Sequence, residues 1–200
     1  VSSKDEVDLV FSNTVVPPKS VLFPQTETLY EYEAGGTELI MPEEPEEKVL
    51  LGVRPCDARA LTIVDKLFSW DIDDPYYVNK RENTTIIGLA CQEPGINCFC
   101  TSLGGGPAST EGIDLLLTDL GEGYLLQPLT EKGEKLCQDA GELLVEAAGE
   151  DRQAAESLHQ EAAEKIVRKI EVDTIPQKLE ELWESPLWKN ISDACLGCGA

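Results

Sequence analysis

Apolar residues in this chain come in short runs between long polar stretches, and the period within each run separates strand from helix. Val49–Val53 and Thr84–Ala90 are continuous apolar or β-branched runs bounded by turn residues, the mark of buried strands. Ile113–Thr118 and Gly123–Leu129 read as two further strands, joined as a hairpin through Asp119–Gly123. Thr28–Tyr32 reads as another short strand, after an extended stretch imposed by Pro17-Pro18 and Pro24.

Helical spacing appears in four places. Leu61, Val64, Leu67 and Phe68 make one face of a helix over Ala58–Phe68, with Asp57 as its cap. A second helix is expected over Thr130–Ala148, ended by Gly149. A third, Asp151–Ile170, carries Ala155, Leu158, Ala162, Ile166 and Ile170 on one side. Thr174 and Gln177 form the capping box of a fourth, running to about Trp183 before Ser185-Pro186 stops it. Ala34–Glu47, Trp70–Asn83 and the glycine-rich Gln92–Gly112 read as loops. The pattern predicts an α/β (or α+β) fold: a small mixed sheet of about four or more strands, flanking helices and a helical C-terminal third. We expect one domain over residues 1–185, with 186–200 opening a second module.

Composition changes this picture in one respect. The formal net charge is -22, from 38 acidic and 16 basic residues, and no basic stripe breaks it. That excludes a phosphate-binding face for DNA or RNA. No run approaches the ~18 apolar residues of a membrane span, and Val1–Asp8 is too polar for a signal peptide. The expected location is cytoplasmic. Val, not Met, opens the chain, which reads as a fragment or a processed chain.

Cysteine placement carries the chemistry. Cys56 lies just past the first strand and Cys91 directly after the second, with Cys98 and Cys100 following in the glycine-rich loop. Open α/β sheets present their reactive side chains beyond the carboxyl ends of such strands. Four thiolates there suit an iron–sulfur cluster or zinc. Cys56, at the mouth of a helix, is expected to be held as thiolate by the helix dipole. Arg54 or Arg59 stands ready to offset cluster charge, and Arg54, Asp57, Arg59 and Asp65 are expected to make local ion pairs and caps. Cys195-Leu-Gly-Cys198-Gly-Ala matches the first half of a ferredoxin run, a second candidate site. Cys137 and the single His159 read as helix residues without a role, and Trp183 and Trp188 as packing. No nucleophile–base pair or paired-carboxylate motif indicates an independent active site.

Jointly, PPKSVLFPQTETLYEY, VLLGVRPCDARAL, DPYY, TTIIGLACQEPGINCFCTS, GIDLLLTDLG and CLGCGA resemble one family of iron–sulfur subunits. These are the β subunits of cytosolic NiFe hydrogenases (sulfhydrogenases), the A subunits of anaerobic sulfite reductases and related 4Fe-4S dicluster proteins. The resemblance covers almost the whole chain from Pro17, and departs where family members continue past CxxCGA into a two-cluster ferredoxin module. It implies an electron relay between a flavin- and NAD(P)-binding subunit and a catalytic hydrogenase or sulfite-reductase subunit. Cys195 and Cys198 map onto the family's ferredoxin motif; Cys56, Cys91, Cys98 and Cys100 map onto its N-terminal motifs, candidate ligands of a 4Fe-4S cluster. The other readings of those thiols are a cofactor-free docking scaffold and a zinc-stabilised domain.

Overall fold

The computed structural model describes residues 7–11, 14 and 16–195. After a single helical turn, α1 (Lys19–Leu22), the chain enters β1 (Lys48–Val53), crosses through α2 (Pro55–Phe68) and α3 (Pro75–Glu82), and forms β2 (Thr84–Leu89) parallel to β1. A long loop with one 3-10 turn, Cys100–Leu103, leads to β3 (Leu115–Asp119), again parallel. β4 (Tyr124–Pro128) closes a hairpin antiparallel to β3, so the sheet order is β1-β2-β3-β4. Among the described residues four α-helices follow: α4 (Glu131–Ala140), α5 (Gly149–Glu164), α6 (Ile175–Glu181) and α7 (Leu187–Ala194). This is the α/β mixed sheet with a helical C-terminal third that the periodicity predicts.

The core forms where α1, α2 and α3 cover the sheet. Leu22, Leu61, Ile86 and Leu116 are at most 1% exposed. Phe68 of α2 stacks on Tyr77 of α3 with ring centroids 4.3 Å apart. The Tyr77 hydroxyl donates to Asp65 Oδ1 at 2.5 Å, and Arg81 pairs with the same carboxylate at 3.2 Å. Truncating a side chain as enclosed as Ile86 to Ala typically costs about 2–5 kcal/mol.

Several expectations are corrected. α2 starts three residues before Ala58, because Arg54 in extended conformation is the N-cap and Pro55 takes the first helical position, where its fixed φ fits. Asp57 therefore lies inside the first turn. Part of the expected Trp70–Asn83 loop is α3, whose Asp74 accepts the N–H groups of Tyr76 and Tyr77 at 2.9 and 3.1 Å. Thr28–Tyr32 makes no strand, only an isolated bridge between Glu31 and Ile40. α4 stops at Gly141, well short of Ala148. α5 ends at Glu164, because Ile166 is drawn into the interior and the Ile170 N–H is given to Ser102 Oγ. Thr174 already has near-helical angles, so no capping box forms; its hydroxyl donates to Glu171 O, and Gln177 donates to Glu181. α7 follows Ser185-Pro186, where no helix is expected from the pattern.

Candidate functional site

Parallel pairing of β1, β2 and β3 puts their carboxyl ends at one edge of the sheet, and the chain leaving each of the first two ends reaches a cysteine within three residues. Cys56 is the second residue of α2. Cys91 follows β2, its N–H donated to Pro107 O across the loop at 2.8 Å. Cys98 and Cys100 come from that loop, Cys98 closing a turn on Gly95 O and Cys100 opening the 3-10 turn. All four line one cavity of about 290 Å³. Ile166, from the irregular segment after α5, also lines it.

The four sulfurs are electrostatically in touch. Burial pushes the Cys56 thiol up to about 11, with Asp57, Cys100 and Cys91 acting in the same direction and the Asp57 N–H opposing them. The Cys56 side chain is open at the cavity mouth, so water moderates the rise, but its neighbours agree on the direction. Burial also raises Cys91, against the pull of Arg54 and with Cys98 and Cys100 adding to it. Cys100 is raised by burial and by Cys98, with Lys169 opposing. The expected dipole-stabilised thiolate at Cys56 is thus overruled: desolvation, the Asp57 carboxylate and two neighbouring cysteines outweigh the N–H of Asp57 at the helix terminus. Cys56, Cys91 and Cys100 are therefore held toward the protonated form, and a metal binding to them must displace those protons.

Cations frame the cavity. Arg54 is 7% exposed, and its Nη1 donates to Ala90 O at 3.1 Å and Leu89 O at 3.4 Å. Its Nη2 donates to Phe11 O, and the Phe11 ring lies 4.4 Å from the guanidinium carbon. Arg59 pairs with Glu111 at 3.0 Å and donates to Leu103 O. The segment after α5 binds the cysteine loop repeatedly: Lys165 to Glu93 at 2.6 Å, Lys169 to Thr101 Oγ1 at 3.3 Å, and Arg168 over the Phe99 ring at 5.6 Å. Residues of that segment are some 70 positions from the loop, and no local sequence signal announces the contact.

Among the described residues, no three His, Cys, Asp or Glu side chains are gathered closely enough to grip a single ion. Cys195 is exposed at the end of α7, and Cys198 lies outside the described residues. Cys137 is half-buried on α4, apart from the cavity. His159 is half-buried with Nε2 2.9 Å from Thr118 Oγ1. Trp183 is 76% exposed, not packed as expected, while Trp188 Nε1 donates to Leu182 O.

No protein-family model matches the chain. Among curated proteins, sulfhydrogenase 2 subunit beta of Pyrococcus furiosus is 28% identical over 199 residues, covering 100% of this chain. The chain is thus similar to a hydrogenase β subunit over its whole length. It spans 58% of the length of that relative. The relationship agrees with the resemblance carried by VLLGVRPCDARAL and TTIIGLACQEPGINCFCTS, the two stretches that deliver the cavity's cysteines to the sheet edge. No solved structure matches the chain. Among the described residues, no helix is long and apolar enough to cross a membrane.

Proposed function

We propose that the chain is an electron-transfer, iron–sulfur part of a hydrogenase-type oxidoreductase complex, with Cys56, Cys91, Cys98 and Cys100 holding a 4Fe-4S cluster. The observation that carries this reading is the gathering of four thiols, from separate segments, on one cavity of about 290 Å³. An all-sulfur donor set is the one such clusters take. When bound, such a cluster accepts and releases single electrons. The chain's own contribution is to exclude water with Ile166 and Pro107, to fix the cysteine loop through Lys165, Lys169 and Ser102, and to supply positive charge from Arg54.

On this reading, Cys195 and Cys198 are the first ligands of a second, ferredoxin-like module starting near residue 186. The partners are a flavin- and NAD(P)-binding subunit and a catalytic hydrogenase or reductase subunit, in the cytoplasm. The test is iron and acid-labile sulfide per chain, after anaerobic reconstitution of a Cys195→Ala, Cys198→Ala variant. About four irons with a broad absorption near 400 nm support the relay. Folded protein without iron means a docking scaffold, and protein that retains zinc instead means a zinc-stabilised domain.

A further inference from the structure

Arg54 stands apart from the other cations near the cavity because it is buried and fixed on several sides. Its guanidinium holds the carbonyls of Leu89 and Ala90, the two residues before Cys91, and Arg54 itself lies two positions before Cys56. Phe11 closes over it, with its carbonyl accepting from Nη2 and its ring on the guanidinium face. Arg54 also lines the thiol cavity. One side chain thereby ties the ends of β1 and β2 together and places a permanent charge beside the sulfurs they deliver.

We propose that Arg54 is a positioning residue for the thiol site: it sets the separation of Cys56 from Cys91, and its charge raises the reduction potential of the cluster held there. This inference rests on the iron–sulfur reading given above. Adding one electron adds one negative charge to the site, and a fixed cation favours that form. Low dielectric makes the effect larger than that of a solvated cation, and salt screens it little. Lys169 provides the comparison. It reaches Thr101, the residue after Cys100, but is itself exposed, so its influence is screened.

The test compares wild type, Arg54→Gln, Arg54→Lys and Lys169→Gln, each as the reconstituted chain, by iron content and by one-electron redox titration followed by EPR at low and high salt. Arg54→Gln should retain iron and titrate at a lower potential at both salt concentrations. Arg54→Lys should restore most of the potential, because it keeps the charge while losing the fork to Leu89 and Ala90. Lys169→Gln should shift the potential downward at low salt only. If Arg54→Gln loses its iron, Arg54→Lys decides: recovery of both iron and potential supports the proposal, and recovery of neither assigns Arg54 to the scaffold alone. An unchanged potential in iron-loaded Arg54→Gln overturns the inference and leaves the cluster reading standing. Absence of iron from wild type overturns the cluster reading, and this inference with it.

Discussion

Asp114 Oδ2 accepts the backbone N–H of Ile86 at 2.8 Å, so a side chain at the head of β3 takes a place in the sheet that a strand carbonyl would otherwise fill. Its other oxygen accepts the hydroxyl of Thr130 at 2.6 Å, and its main-chain carbonyl accepts Leu129 N–H. One buried carboxylate therefore joins β2, β3 and the start of α4. Replacing it with Ala leaves the Ile86 N–H and the Thr130 hydroxyl to find other partners. Asp114→Ala should cost about 2–3 kcal/mol in urea unfolding; a loss under about 0.5 kcal/mol would show that the junction is held by packing instead.

The Thr118–His159 contact predicts a pH dependence. Burial holds the His159 pKa below its ordinary 6.5, against the pull of Glu156. The folded chain therefore binds this proton less readily than the unfolded chain. Stability from the neutral ring is fully present above 6.5 and declines as pH falls from there through the folded value. His159→Gln should flatten that part of the stability curve. The difference between the two proteins, measured by thermal unfolding from acid to neutral pH, must shrink as pH falls.

Gly112 is where the cysteine loop passes α2. Its φ is +79°, and a Cβ there would lie 2.5 Å from Ala58 O. Gly104 shares the left-handed backbone, with φ +76°, but has open space around it. Gly112→Ala should destabilise by about 3 kcal/mol, from strain and overpacking together. Gly104→Ala should lose about 1 kcal/mol, from backbone strain alone. Equal losses in chemical denaturation would show that the close approach to α2 has no cost of its own.

The thiol set makes a sharper separation. Cys98→Ala with Cys100→Ala should abolish iron uptake while circular dichroism shows the sheet intact, because both residues lie in the loop and neither is in the core. Cys137→Ala, on α4 away from the cavity, should leave the iron content as it was. Undiminished iron in the double variant would remove the four-cysteine assignment.

What could be read from the sequence follows from how local each signal is. Thr84–Ala90 identifies itself because a buried parallel strand needs an unbroken apolar run. Val49–Val53 has the same kind of run and is a strand, but it lies at the sheet's edge with Val49 and Leu51 exposed rather than buried as expected. A cysteine after each must reach the same sheet edge. α3 hides because Tyr76, Lys80 and Arg81 give it little apolar periodicity; the Asp74-Pro75 pair, a cap followed by a first-turn proline, was its one local sign. Thr174 and Gln177 have the right spacing for a capping box, but the preceding turn puts Thr174 at helical angles, where its hydroxyl cannot reach forward. Ile166 looks like the continuation of an amphipathic helix. Its burial beside the thiols depends on residues near position 100, and no window of sequence contains both.

The distance along the chain between the cysteine loop and the segment that fastens it also orders events in time. Thr101 and Ser102 meet Lys169 and Ile170, each 68 positions further along the chain. A ribosome adding about 5–20 residues per second needs roughly 3–14 s to cover that stretch. During nascent synthesis, Cys56, Cys91, Cys98 and Cys100 all emerge before the residue that completes their enclosure. On the iron–sulfur reading proposed above, the site is thus open to a cluster first and fastened afterwards.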